Sequence, residues 1–382
     1  MNERPRQPRL FVSTSADKVA EVFDAARLTQ VRLLAKMTKQ ELAEKLGVSP
    51  AAVGQYEAGI TAPRPDHLER LAEVLGFPVA FFAGGRPHAR LDASMAHFRS
   101  LRSTRVSERA KAVVFVEQLW ELTYALERRV EFPAVDLPSV SPKTTLGLVA
   151  PEVAAREVRR YWGIKKGPLR HLVRTMELRG IIVSLLPLAG DDVARVDAFS
   201  TSRPPRPLVV LTPDRANDIY RHRFTAAHEL GHLLLHADVV PGDLEQEKEA
   251  DRFAAELLTP AAEIQYELPA RLRIPVLENI GRQWGVSPES LVVRSKELGV
   301  ISDVSARRAY QRLQQLRTAD LLRPESIATY PGETPNLLLS AFELAERHGL
   351  KLKELAAELA WPVQRVRQLL GQAEGRPSLR LV

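Results

Sequence analysis

The segment Phe224–His236 reads FTAAHELGHLLLH and places Glu229 between two histidines, His228 and His232, that are four residues apart. On a helix, side chains four apart stand one turn above another on the same face, so both imidazoles can reach one cation. Glu229 then points about 100° around the helix, beside the metal's open position rather than at it. A carboxylate there can take a proton from zinc-bound water, whose pKa the metal lowers to about 7. The chemistry implied is metal-assisted hydrolysis. Histidines at this spacing also occur as plain packing or surface residues, so a further ligand is needed to make the pattern specific.

The chain has no cysteine, which excludes disulfides and thiol chemistry and leaves that ligand to His, Asp or Glu. His236 continues the four-residue series, but its Cα lies about 12 Å along the axis from that of His228, too far for both to bind at about 2.1 Å. The better source is the acidic run Glu245–Leu258. There Glu247 and Asp251 share a helix face, and Glu249 faces roughly the other way. Glu247 is the preferred ligand, with Asp251 accepting the second N–H of a ligand histidine; Glu249 is the alternative. A His/His/Glu set suits zinc and tolerates manganese.

These residues must be held by two helices, around Thr225–His236 and Glu245–Leu258. Ahead of them lie three short strand candidates, Gly180–Leu186, Arg195–Thr201 and Pro207–Leu211, each rich in Val, Ile or Leu. A basic amphipathic helix near Arg156–Trp162 opens this part at about Pro151. Its arginines and lysines (Arg156, Arg159, Arg160, Lys165, Lys166, Arg170 and Arg174) read as a solvated face. From about Ser302 the chain is helical, with a break near Tyr330-Pro331-Gly332, and Leu350–Leu370 reads as a packing or dimerisation hairpin. Upstream, residues 103–129 form a helical run with Val113, Val116, Leu119, Trp120, Thr123 and Leu126 on one stripe. Pro133, Pro138 and Pro142 then mark a linker of low local order. Trp120 and Trp162 read as core residues. The expected organisation is a tail over 1–16, a first domain over 17–85, a helical connector and linker over 86–150, a second domain over 151–301 and a helical region over 302–382.

In the first domain, Met37–Gly59 reads MTKQELAEKLGVSPAAVGQYEAG. Thr38 can cap a helix whose apolar positions are Leu42, Ala43 and Leu46. Gly47 supplies a left-handed turn. Ser49 caps a second helix, with Pro50 at its first position, where a missing N–H costs nothing. Ala51, Val53 and Tyr56 alternate small and large, as a tightly crossed pair requires. Two helices joined this closely can present the second to the major groove of DNA.

The segment Val22–Phe82 resembles the phage Cro/repressor-like, or XRE-type, helix-turn-helix family, through Thr-x-x-Glu-Leu-Ala, Leu-Gly-Val-Ser, Tyr-Glu-x-Gly and the later Pro63. The resemblance implies a five-helix domain binding double-stranded DNA, with Pro50, Ala51 and Gln55 facing the bases and Lys39, Gln40 and Arg64 near phosphates. Ser49, at the start of the second helix, belongs to the same surface. Only Gln55 is equipped for bidentate base readout. Arg99, Arg102 and Arg105 could extend the footprint through phosphate contacts.

Residues from about Ala154 to Arg312 resemble the ImmA/IrrE family of metallopeptidases. The resemblance rests on Arg221-x-Arg-Phe-Thr-x-Ala-His-Glu-Leu-Gly-His, Glu247-x-Glu-Ala-Asp-x-Phe-Ala-Ala-Glu-Leu-Leu-Thr-Pro, Trp284-Gly-Val-Ser and Leu298-Gly-Val-Ile-Ser. It implies a zincin-like α+β fold with a small sheet, zinc on His228, His232 and Glu247, and Glu229 as catalytic base. It further implies an endopeptidase acting on a transcriptional repressor in a stress or mobile-element response. The overall expectation is a multidomain, mainly α protein acting as a homodimer on a two-fold operator. The competing reading is a non-catalytic or antitoxin-like regulator whose zinc domain senses a ligand or partner.

Composition agrees with this class. Across 382 residues, 45% apolar and 26% charged are the shares of a globular protein, enough for two or three cores. No apolar run approaches the ~18 residues of a membrane span, and no secretion signal is seen, which favours the cytoplasm. A net charge of +7 permits an anionic partner without specifying one.

Overall fold

The computed structural model describes residues 15–86, 91, 106–139, 150–185, 198–202, 205–212, 218–237, 244–322 and 325–372. Arg99, Arg102, Arg105, Pro142 and the first part of the Arg195–Thr201 strand lie outside them.

Five short helices come first: α1 (Ala16–Glu21), α2 (Ala25–Leu34), α3 (Lys39–Leu46), α4 (Pro50–Glu57) and α5 (Pro65–Leu75). Their ends follow local chemistry. Thr38 and Glu41 form a reciprocal capping box at α3, satisfying two orphan N–H groups at once. Gly47 closes α3 at φ 71°, a backbone that costs a side chain-bearing residue energy. Ser49 accepts from the Ala52 N–H and Pro50 opens α4. Leu42, Ala43 and Leu46 of α3 are buried, as are Val53 and Tyr56 of α4, whereas Ala51 is exposed and takes no part in the crossing.

The next helix, α6 (Val106–Glu127), departs from the single apolar stripe expected of it. From Val114 to Thr123 every residue is buried, the polar Glu117, Gln118, Glu121 and Thr123 included. The cause is that three other parts of the chain pack around it. From α2, Arg27 pairs with Glu121 at 2.6 Å and Gln30 donates to Glu117 at 3.0 Å. From the far C-terminus, the Arg365 guanidinium donates to Gln118 and lies over the Phe115 ring. From the sheet side, the carbonyl of Arg206 accepts from the Trp120 indole N–H at 3.0 Å. Buried polar groups persist only when paired in this way.

The second part contains α7 (Pro151–Tyr161), α8 (Leu172–Leu178), β1 (Ile182–Leu185), β2 (Ala198–Thr201), β3 (Leu208–Leu211), α9 (Ile219–Leu235) and α10 (Leu244–Leu258). Then come α11 (Ala261–Ile264), α12 (Ile274–Trp284), α13 (Pro288–Glu297) and α14 (Asp303–Thr318). The strands lie in the order β1-β3-β2, with β1 parallel and β2 antiparallel to β3. Both sheet faces are covered. Ile182, Phe199, Leu208 and Val210 join the core around α6, while Val183, Ala198, Val209 and Leu211 join the core around α9 and α10. That is why the central β3 reads as a continuous apolar run rather than an alternating one.

α9 begins at Ile219, six residues before the expected start, because Asp218 caps it by accepting from the Arg221 N–H. The segment 131–139, expected to be loosely ordered, is irregular but pinned. Asp136 accepts from Tyr161 at 2.7 Å and pairs with Arg179, and its carbonyl accepts from Trp162 at 3.1 Å. Arg159 likewise leaves the basic surface: it is buried and donates to the carbonyls of Leu257, Lys165 and Gly167.

The chain after Ser302 divides between the two cores. α14 packs on the second, through Ala306 and Leu313, whereas α15 (Leu337–Arg347), α16 (Leu352–Leu359) and α17 (Val363–Leu369) pack on the first, against α6. The Tyr330-Pro331-Gly332 break falls in the strap between them. Glu333 there is buried, accepts from the Leu172 and Val173 N–H groups and pairs with Arg223. Its carbonyl accepts from the His222 ring at 2.9 Å.

Burial pushes the His222 imidazole down to about 4, from an ordinary value of 6.5. Between those two values the unfolded chain takes up a proton that the folded chain refuses, so this residue withdraws stability as pH falls. Each pH unit is worth about 1.4 kcal/mol, giving a ceiling of about 3 kcal/mol. Burial drives Glu177 up to about 7, which acts in the opposite sense. The test is therefore a difference: urea unfolding at pH 7.5 and 5 should show wild type losing more stability than His222→Gln.

Candidate metal centre

The centre is built where α9 and α10 cross. α9 lies buried beneath the sheet and presents His228, Glu229 and His232, none more than 1% exposed. Gly231 makes the crossing close: a Cβ there would stand 3.1 Å from the Phe253 ring and 3.3 Å from the Ala250 Cα on α10. A larger residue would hold the helices apart.

That approach brings Glu247 over the two histidines. His228 Nε2 and His232 Nε2 are 3.0 Å apart, and each lies 3.5 Å from an oxygen of Glu247. Ligand atoms about 2.1 Å from a tetrahedral zinc stand about 3.4 Å from one another, so this triangle fits such an ion. Among the described residues it is the one group of three or more such side chains with ligand-type atoms close enough to hold a metal. Burial acts to raise the Glu247 carboxyl, but hydrogen bonds from His228 and His232 outweigh it and leave Glu247 below the usual carboxylate range.

The neighbours of the triangle separate the acidic residues of α10 by position. Asp251 lies 2.8 Å from His228 Nδ1, where it can accept the ring's second N–H. Glu249, the alternative third ligand, is turned away from the triangle and meets His236 Nε2 at 2.9 Å. His236 itself reaches His232 Nδ1 at 3.0 Å, not the centre. Glu229 accepts from Ser200 of β2, whose hydroxyl donates to Oε2 at 2.6 Å. Sequence reasoning missed Ser200. Its residue type does not mark it out, since β2 reads Ala-Phe-Ser-Thr and carries a second hydroxyl at Thr201; what singles it out is the face that β2 turns to α9.

The other expected surface lies on α3, α4 and the loop before α5. Lys39, Gln40, Ser49, Pro50, Ala51, Gln55 and Arg64 are all exposed. Several are engaged locally: Lys39 lies 3.4 Å from Glu57, Gln40 donates to Glu44, Ser49 caps α4, and Arg64 pairs with Asp66 at 3.1 Å. Arg32 and Glu57, bonded at 2.5 Å, tie α2 to α4 beneath this surface.

Residues 28–82 match the family model described as Helix-turn-helix, and residues 176–296 match the peptidase family model described as IrrE N-terminal-like domain. The chain is a fusion of these two domains. No curated protein matches it. The IrrE-like span contains the sheet, α9, α10, α12 and most of α13, while α7 and α14 complete its core from outside the matched residues. No helix among the described residues is long and apolar enough to cross a membrane.

The α9–α10 crossing yields a direct prediction. Gly231→Val overpacks it and should cost about 1–3 kcal/mol, read as a lowered urea midpoint. The same substitution at exposed Gly47 would test left-handed backbone strain instead, so the two should not be pooled.

Proposed function

We propose that the chain is a DNA-bound regulator whose IrrE-like domain is a zinc-dependent endopeptidase. The observation that carries this reading is the His228–His232–Glu247 triangle, with buried Glu229 next to His228 in the chain and no thiol anywhere in it. His228, His232 and Glu247 would hold the ion and Asp251 would fix the His228 tautomer. A bound zinc ion supplies Lewis acidity to a scissile carbonyl and acidifies water at neutral pH. Glu229 would accept the proton of the attacking water and return it to the leaving amine. Ser200 would keep one Glu229 oxygen engaged so that the other faces the reacting water.

Glu229→Gln should retain metal and DNA binding while cleavage falls about 10²–10⁴-fold, the usual contribution of a positioned acid–base group. The substrate we infer is a regulatory protein of repressor type, in a stress or mobile-element response; this rests on the likeness of residues 176–296 to the IrrE family. Peptide-end profiling of cells carrying wild type or Glu229→Gln would identify it. Identical profiles would replace this reading with that of a non-catalytic regulator that uses its centre to sense a ligand or partner.

On DNA, a dimer on a two-fold operator would place α4 of each protomer in the major groove. Gln55→Ala should cost about 1–3 kcal/mol at one base position and relax specificity there. Lys39→Ala and Arg64→Ala should weaken binding across sequences and each lower the salt slope by about 1. Titrations at several salt concentrations, on operator and random duplexes, distinguish the two outcomes.

A further inference from the structure

The C-terminal helices α15, α16 and α17 repeat the backbone of α2, α3 and α4 at a constant spacing. Gly47 closes α3 in the left-handed conformation at φ 71°, and Ala360, 313 positions later (360 − 47), closes α16 at φ 52°. The same spacing takes the left-handed residue after α2, Lys36, to the one after α15, Gly349. Hydrogen bonds recur with it. The Val48 and Trp361 N–H groups donate to the Ala43 and Ala356 carbonyls, and those of Val53 and Val366 donate to Ser49 and Pro362. Glu41 and Glu354 each accept from the backbone N–H that begins their helix, at Thr38 and Lys351. Burial recurs too: Leu42, Ala43, Leu46 and Val53 are matched by Leu355, Ala356, Leu359 and Val366, all inside the first core. An alanine in left-handed backbone is strained where a glycine is not, so packing of the pair, not residue preference, holds the second turn.

One side of α17 packs on α6, where Arg365 donates to Gln118. Its other side faces solvent. The constant spacing carries Ala51, Gly54 and Gln55 of α4 to Gln364, Arg367 and Gln368, of which the first two are exposed and the third is partly exposed. Glutamine and arginine are the side chains that read adenine and guanine edges in the major groove, and α4 offers only Gln55. Gln40, on the phosphate side of the first pair, is matched by exposed Lys353. We propose that α16 and α17 form a second DNA-reading helix pair, which takes a duplex segment separate from the one on α4. The proposal rests on the reading of the first pair for how the second helix enters the groove, and on the repeat for the rest.

The experiment uses the full chain with its first pair disabled by Lys39→Ala, Gln55→Ala and Arg64→Ala, selected against a pool of randomised duplexes. This variant should enrich a motif of its own and lose affinity for it as salt rises. Adding Gln364→Ala, Arg367→Ala and Gln368→Ala should weaken binding to that motif about tenfold or more and erase the preference at the bases they read. Lys353→Ala should instead weaken all duplexes alike and lower the salt slope by about 1. These are surface changes, and an unaltered urea midpoint shows that the fold survives them. A disabled chain that enriches no motif, or whose motif is indifferent to the three α17 substitutions, overturns the proposal and leaves α16 and α17 as a packing or dimerisation hairpin. If the operator bound by wild type survives loss of Lys39, Gln55 and Arg64 but not loss of the α17 side chains, the first-pair reading fails and this one stands.

Discussion

The contact on which the site depends is the close crossing of α9 and α10 at Gly231. His228, His232, Glu229, Glu247 and Asp251 all come from one of these two helices, and neither alone can assemble the triangle. α9 places His228 and His232 one turn apart because a helix repeats every ~3.6 residues. Glu247 and Asp251 share a face of α10 for the same reason. The two faces meet only because nothing larger than hydrogen separates the backbones at Gly231. The core beneath, with Phe253, Ala254 and Leu257 against Ala227, Leu230 and the sheet, holds that approach in place.

The sheet carries a second constraint. Three short strands are covered on both faces and so belong to two cores at once. Phe199 faces α6 and the residue after it, Ser200, faces Glu229, as the alternation of a strand requires. α6 in turn receives the helix-turn-helix domain through Arg27–Glu121 and the C-terminal helices through Arg365–Gln118. A buried ion pair such as Arg27–Glu121 contributes little net stability, but losing one partner strands the other charge in a dry interior, at a cost of about 3–5 kcal/mol. It therefore fixes where α2 sits on α6 more firmly than apolar contact would.

In the helix-turn-helix domain the exposed residues of α3 and α4 and the core are cleanly divided. Caps and turns are written in short local signals: the Thr38–Glu41 box, Gly47, Ser49 and Pro50. They use only neighbours within a few residues, which leaves Lys39, Gln40, Ala51, Gln55 and Arg64 exposed on one stretch of the surface.

What the amino-acid order determined was whatever repeats or terminates locally. The helix pair and its caps, the three apolar strands, the His-Glu-x-x-His face and the pairing of Glu247 with Asp251 on one face all follow from periodicity and end signals. Tertiary structure decided what depends on partners far along the chain. The burial of α6 on all sides was not legible, because the groups that cover it come from α2, the sheet and α17. Nor were the C-terminal helices' place on the first core, or the withdrawal of Arg159 into the interior. Around the centre, spacing favoured Glu247, which shares a face with Asp251, and kept Glu249 as the alternative. The packing of α10 on α9 turned Glu247 to the histidine pair and Glu249 to His236. Ser200 had no local signal at all, because a strand residue acquires a partner only when its sheet docks on a helix.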